Sequence, residues 1–421
     1  MPGVNGNYNI DFAMNRTIKK YKFSLGLFLI TGFALSSTCF AQTDYTQVEA
    51  KDSAKIYRGG EFYPVSKFYY SGTKETPRNI ILLIGDGMGL AHIHAGMTAN
   101  GGELYLKNFR NIGFTTTFAA NKYVTGSAAS GTALATGSKT NYRMIGQDPE
   151  GKDLHNIREI AQEQGKATGV ISTSSVTHAT PASFVGHQPL RSMEEEIADD
   201  FVNSGIDVFI GGGYDFFTKR KDGRDLLEEL KAKGYQIATN LEEVRQTEEG
   251  KLAALLAPNG TARKSKRGNV LEVATSTALE ILDDDPDGFF LMIEGSQIDW
   301  AGHANDTPWI IEEMLDFDLA IGKVLEFAER NQETLVIVTA DHETGGLTIE
   351  DGNYETGMVL GDYTTGGHTG IMVPVFSFGP GAEYLTGFID NTDIAKQIRK
   401  HLYSSDSGNQ KKTRKNKAKK K

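Results

Sequence analysis

The stretch Ile80-Ile81-Leu82-Leu83-Ile84-Gly85-Asp86-Gly87 decides how this chain folds. Five consecutive apolar residues leave no polar face, as in a strand covered by helices on both sides. The run then stops at an acid set between glycines. Two other runs repeat the pattern: Phe289-Phe290-Leu291-Met292-Ile293 meets Glu294-Gly295, and Leu335-Val336-Ile337-Val338 leads to Asp341-His342. Thr168 to Ser172 and Ile206 to Ile210 are weaker strands of the same kind. Helical patterns lie between them. Thr307 is placed to cap one helix, Pro308 fits its first turn, and Ile310, Met314, Phe317, Ile321 and Val324 recur on one face. Strands alternating with helices predict an α/β fold, doubly wound, with a mostly parallel central sheet flanked by helices on both faces.

In open α/β sheets, ligands bind beyond the carboxyl ends of parallel strands. Asp86, Glu294 and Asp341 would therefore meet at one rim. Converging carboxylates repel, and a cation is the natural partner that keeps them ionised together. Three of only nine histidines fall in Asp299-Trp300-Ala301-Gly302-His303, Asp341-His342 and Gly366-Gly367-His368-Thr369-Gly370. Mixed imidazole and carboxylate ligands suit zinc, whereas oxygen ligands alone suit magnesium. Ser127, in Val124-Thr125-Gly126-Ser127-Ala128-Ala129-Ser130-Gly131, reads either as an N-cap or as a nucleophile at a helix N-terminus, where anions are favoured.

The rest of the 421-residue chain narrows the class. Its 39% hydrophobic and 23% charged residues exclude disorder throughout. The whole chain carries −10; residues 1–41 contribute +3 and residues 411–421 contribute +8, so 42–410 carries −21. A nucleic-acid partner is not expected of so acidic a body. Asn15 to Lys22 is basic, Phe23 to Leu35 is mostly apolar, and Ser36 to Ala41 offers a cleavage site. That pattern predicts a signal peptide starting at Met14 and cleaved after Ala41, behind an upstream extension. Thirteen apolar residues fall short of the roughly 20 that span a bilayer, so no transmembrane anchor is expected. Cleavage would remove Cys39, the only cysteine. The expected product is a periplasmic or secreted protein: one catalytic domain over 42–403, then a disordered basic tail over 404–421. The tail reads as a solvated segment or as a contact to an anionic envelope surface.

Taken in order over residues 79–402, these motifs, together with Thr177-His178-Ala179-Thr180-Pro181-Ala182 and Thr339-Ala340-Asp341-His342-Glu343-Thr344-Gly345-Gly346, resemble the alkaline phosphatase family in its bacterial, exported form. The resemblance implies an alkaline phosphatase-like fold and a phosphomonoesterase with two Zn2+ and one Mg2+, acting on small phosphate monoesters, and a homodimer. It puts Asp299, His303 and His368 on the first zinc, Asp86, Asp341 and His342 on the second, and Asp86, Thr180 and Glu294 on the third metal. It makes Ser127 the nucleophile that becomes a phosphoserine, and Arg191, thirteen residues beyond His178, the clamp on two phosphoryl oxygens.

Three departures from the family pattern matter. Gly126 stands where many members have Asp. His178 and Trp300 stand where some bacterial members have Asp and Lys, which puts an imidazole at or near the third metal. Only 25 residues separate His342 from His368, where other members carry a large insert over the site, so an open site tolerant of varied leaving groups is expected. A metal-dependent diesterase or sulfatase, and a non-catalytic phosphate binder, are the alternative functions. His92 and His94 read as helix residues with packing or supporting roles, as do His187 and Glu343 beside the site. Gly211-Gly212-Gly213 reads as a tight turn, because no Lys-Ser or Lys-Thr follows in nucleotide-loop spacing.

Overall fold

The computed structural model describes residues 52–418, with side chains as far as Ser404. The proposed signal peptide, Met14, Cys39 and Ala41 lie outside the described residues. A ten-stranded sheet forms the centre. Its strands, in chain order, are β1 (Asn79–Gly85), β2 (Asn111–Thr116), β3 (Ala167–Ser175), β4 (Val208–Gly212), β5 (Tyr235–Ala238), β6 (Lys251–Leu255), β7 (Phe289–Gly295), β8 (Thr334–Thr339), β9 (Val373–Phe378) and β10 (Gly387–Asp390). Across the sheet they run β10-β2-β9-β8-β1-β7-β3-β4-β6-β5. Seven neighbouring strands, from β8 to β5, are parallel throughout; β9 is antiparallel to both of its neighbours.

The apolar run of β1 is explained by what covers it. Ile80, Leu82 and Ile84 join the hydrophobic cluster on one face, while Ile81 and Leu83 join that on the other. Alternate side chains point to opposite faces, so a strand covered twice must be apolar at every position. One face is covered by α3 (Ile157–Glu163) and the apolar turns of α7 (Asn391–Ala418), the other by α4 (Val270–Asp283) and α6 (Thr307–Asn331). All five periodic residues of α6, Ile310, Met314, Phe317, Ile321 and Val324, are fully buried. Asp306, rather than Thr307, caps this helix: its carboxylate accepts from the Trp309 N–H at 2.9 Å. The Thr307 hydroxyl instead meets the Tyr363 hydroxyl at 2.8 Å.

The 25-residue interval between His342 and His368 contains the hairpin Leu347–Asn353 with Met358–Tyr363, joined by Ile56–Arg58 into a small separate sheet. Gly211-Gly212-Gly213 is not a tight turn: Gly211 and Gly212 end strand β4, and only Gly213, with φ 105°, turns the chain into the helix Tyr214–Thr218. A Cβ on Gly212 would stand 1.8 Å from the Asn259 carbonyl oxygen, so that strand end packs against protein backbone. Helix α7 runs on past 404 to Ala418. Lys, Arg and Gln are good helix formers, and nothing after Gly408 breaks the helix. Its apolar anchors are Ile394, Ala395, Ile398 and Leu402. No helix among the described residues is long and apolar enough to cross a membrane.

Candidate metal centre and nucleophile

The carboxyl ends of β1, β7 and β8 lie side by side, which brings Asp86, Glu294 and the Asp341-His342 pair to one rim. The loop after β1 turns at Gly87, whose φ is 73°. A Cβ there would stand 2.8 Å from the Asp299 Cα, so only glycine lets this loop lie against helix α5 (Gln297–His303). The Gly87 N–H donates to Asp341 Oδ1 at 3.1 Å, tying the first strand end to the third.

Asp299 and His303 are one turn apart on α5 and share a face. His368 reaches the same point from the Thr344-to-His368 pairing, so that Asp299, His303 and His368 form one potential metal-holding group. His303 Nδ1 faces the Gly366 carbonyl at 2.7 Å, and His368 Nδ1 faces that of Thr125 at 2.9 Å. A carbonyl only accepts, so each Nδ1 carries the proton and each Nε2 presents a lone pair. These two Nε2 atoms are 3.1 Å apart, and each is 3.5 Å from an Asp299 oxygen. Lone pairs and a carboxylate facing one another suit a cation between them.

The second group gathers on His342, whose Nε2 lies 3.2 Å from Asp341 Oδ2, 3.5 Å from Asp86 Oδ1 and 3.4 Å from the Ser127 hydroxyl. Asp86, Asp299 and His342 are the members close enough to share an ion, so Asp299 stands between two groups, and Asp341 joins through its contact to His342. In the third group Asp86 and Glu294 meet His178. Glu294 Oε2 accepts from the Ser172 and Ser296 hydroxyls, both at 2.6 Å. Thr180 is buried in the short helix Ala179–Ala182, and its hydroxyl, like Glu294 Oε1, has no hydrogen-bond partner.

These acids fit divalent cations on physical grounds. Both oxygens of Asp86, Oδ2 of Asp341 and Oε1 of Glu294 are buried with no hydrogen-bond donor. Buried carboxylate oxygens normally find partners, because desolvation is costly. Burial first, then the charges of Asp341, Asp299 and Glu294, raises the Asp86 pKa well above the usual range. Burial likewise raises Asp341, and pushes Glu294 up to about 7. His342 is driven well down, by burial and then by His368. A bound cation would reverse that penalty by stabilising the carboxylates and taking the imidazole lone pairs.

Ser127 is the first residue of α2 (Ser127–Thr136), and Gly126 is its N-cap. The serine is thus not the cap, and its hydroxyl is free to face His342. Ser130 Oγ donates to the Asp341 carbonyl at 2.6 Å, fixing the helix to the metal rim. Arg191 lies beside His178, with Nη2 2.6 Å from Nε2. His178 is held neutral, its pKa lowered to about 3 by burial and then by Arg191. The site is open at one end only: the His303 side chain is 42% exposed and that of His368 12%, whereas Ser127 is buried.

The supporting layer is only partly legible in sequence. His92 lies on α1 (Leu90–Ala99) and accepts from the Gly89 N–H through Nδ1, while Glu343 accepts from Thr369. His187 binds Gly146 and Glu159, away from the rim. Trp300 packs edge-on to His178, ring centres 6.1 Å apart. Ser172, Ser296 and the carbonyls of Thr125 and Gly366 escaped sequence reasoning; the Ser172-to-Ser175 polar run ending β3 was the available signal for the first.

Comparison with known proteins agrees with this geometry. The profile of the family "Alkaline phosphatase" matches residues 77–362. Alkaline phosphatase 3 of Bacillus subtilis is 34% identical over 79% of this chain and 90% of its own length. The alkaline phosphatase of Escherichia coli is 31% identical over 75% and 84%. The solved alkaline phosphatase of the Antarctic bacterium TAB5 is 42% identical, with a TM-score of 0.74 over 78% of this chain and 99% of that one. A mutant of the TAB5 enzyme, solved with Mg bound in its M3 site, superposes equally well at 41% identity. The chain therefore belongs to the alkaline phosphatase family, and is a metal-dependent phosphomonoesterase.

Proposed function

We propose that this enzyme hydrolyses phosphate monoesters through a phosphoserine at Ser127. In this reading Asp299, His303 and His368 hold one Zn2+, Asp86, Asp341 and His342 a second, and Asp86, Thr180 and Glu294 a Mg2+. When bound, such ions stabilise the charge that develops on the attacking and leaving oxygens of an in-line displacement. The donorless buried oxygens of Asp86, Asp341 and Glu294 are the observation that carries the assignment.

The chain's own residues supply the rest. The N-terminus of α2 places unpaired N–H groups and the positive end of the helix dipole at Ser127, where phosphoryl oxygens would sit. Arg191 keeps further guanidinium donors for those oxygens while Nη2 is held by His178. Ser127 gives up its hydroxyl proton as Oγ attacks phosphorus, the P–O bond to the alcohol breaks, and the departing oxygen takes up a proton to leave as the alcohol. Water then attacks phosphorus, the Ser127 ester breaks, and inorganic phosphate leaves.

Acid-quenched enzyme incubated with a labelled monoester should carry label on the peptide containing Ser127, and elemental analysis should give two zinc and one magnesium per chain. Label on another residue, or two metals in total, would refute the corresponding assignment. Export with cleavage after Ala41, one catalytic domain over 42–403, a homodimer, and a basic tail against anionic envelope surface belong to the same proposal. Mass spectrometry of the mature N-terminus and sedimentation equilibrium test the first and third. Binding of the full-length and 404–421-deleted proteins to anionic vesicles tests the last.

A further inference from the structure

Two exposed tyrosines stand at the mouth of the site, each against a glycine beside a proposed functional residue. Tyr123, 78% exposed, lies against Gly370, two residues after His368; a Cβ on that glycine would stand 2.7 Å from Tyr123 Cε1. Tyr142, 37% exposed, lies against Gly126, which precedes Ser127; a Cβ there would stand 2.8 Å from Tyr142 Cε2. Any side chain at 126 would therefore displace Tyr142.

The two tyrosines belong to loops that are fastened together. The Tyr142 N–H donates to Asn121 Oδ1, and the Ala120 N–H to the Thr140 carbonyl, both at 2.8 Å. Lys122 Nζ sits 3.9 Å from the centre of the Tyr142 ring and holds one of its faces. Arg143 has a left-handed backbone, with φ 76°, and its carbonyl accepts from the Arg191 N–H at 2.9 Å. A non-glycine residue with positive φ is strained, and such strain concentrates at functional sites. The same loop thus carries an aromatic ring and anchors the proposed phosphate clamp.

Tyr123 touches Gly370 along one edge of its ring, and most of the ring remains open to solvent. The rim is exposed on the side of His303 and His368, two residues before Gly370, so Tyr123 stands on the side toward which a leaving group at Ser127 would extend. We propose that Tyr123 and Tyr142 form a leaving-group subsite that favours monoesters whose alcohol carries a flat aromatic ring, such as a nucleoside. This rests on the phosphomonoesterase reading with Ser127 at the reacting phosphorus. It replaces the expectation of an indifferent open site with a stacking platform on one side and a braced aromatic wall on the other.

The test compares kcat/KM for adenosine 5′-monophosphate and glycerol 3-phosphate, two alkyl monoesters that differ in the ring, on metal-loaded full-length enzyme. Tyr123→Ala should lower the value for the nucleotide about tenfold and change that for glycerol phosphate by less than about twofold. Tyr123→Phe should restore the nucleotide value. An equal fall for both substrates, or no fall for either, would overturn the subsite while leaving the phosphatase reading intact. Failure of the unmodified enzyme to turn over either substrate would instead remove the phosphatase reading, and the subsite with it.

Discussion

Arg191 Nη2 lies 2.6 Å from His178 Nε2, and Nδ1 of that imidazole has no hydrogen-bond partner. A guanidinium only donates, so Nε2 accepts and the neutral ring carries its proton on Nδ1. In that tautomer His178 offers no lone pair to a cation. In the proposed reading it supports Arg191, the phosphate clamp, beside the third-metal site assigned to Asp86, Thr180 and Glu294. Arg191→Ala should raise the inhibition constant of inorganic phosphate about 10- to 100-fold, the loss of one or two charge-assisted hydrogen bonds. Metal stoichiometry should stay unchanged in both Arg191→Ala and His178→Ala. Loss of one metal in His178→Ala, by elemental analysis, would show that the imidazole is a ligand after all.

Ser127 makes one contact that bears on chemistry, the 3.4 Å approach to His342 Nε2, and its side chain fills little of the core. Ser127→Ala should therefore fold normally, keep its metals, and lose on the order of 10³-fold or more in kcat/KM. Turnover within tenfold of the parent enzyme would exclude a serine nucleophile.

Removing metal should destabilise as well as inactivate. Asp86, Asp341 and Glu294 converge with oxygens that no donor satisfies, and burial already opposes their ionisation. Cations that bind only the folded state add about 4 kcal/mol at a thousandfold excess over Kd. EDTA-treated enzyme should melt at lower temperature by calorimetry, and zinc with magnesium should restore both melting point and turnover. An unchanged melting point would mean that the carboxylates are held by something else.

The reach of the sequence follows from what each signal measures. Ile80 to Ile84 announced a doubly covered strand because covering both faces demands unbroken apolarity, and the acid ending each such run marked the rim. Strand β9 escaped for the opposite reason. Pro374 argues against an interior strand, yet it pairs with Phe114 of β2 and lies one residue before the ladder to β8 begins at Val375, with its carbonyl accepting from the Thr339 hydroxyl at 3.0 Å. The capping choice between Asp306 and Thr307 turned on a hydroxyl partner, Tyr363, 56 residues away. The His178–Arg191 contact and the Ser172 and Ser296 hydroxyls on Glu294 are tertiary relationships with no local period. Family resemblance named the ligands one by one; only the folded chain shows which of their atoms lack partners.

A pH dependence of stability should appear away from the metals. His187 Nδ1 is 2.9 Å from the Gly146 carbonyl, and Nε2 is 3.0 Å from Glu159 Oε1. Burial lowers the pKa of this imidazole, but the hydrogen bonds to Glu159 and Gly146 and the Glu159 charge outweigh it and raise the pKa to about 9. The Asp153 charge acts in the same direction, while Asp200 accepts from the backbone N–H of His187 at 3.3 Å and leaves the ring nitrogens to Gly146 and Glu159. An unfolded histidine titrates near about 6.5. The raised folded value means that the charged ring favours folding. That contribution is complete below about 6.5 and is lost as pH rises through about 9, with a size on the order of 2–3 kcal/mol. His187→Gln removes the titrating group but keeps a donor for Glu159. The difference in melting temperature between parent and variant should therefore be largest near pH 6 and shrink toward pH 10. A difference that stays constant across that interval would show that His187 supports the fold through packing alone.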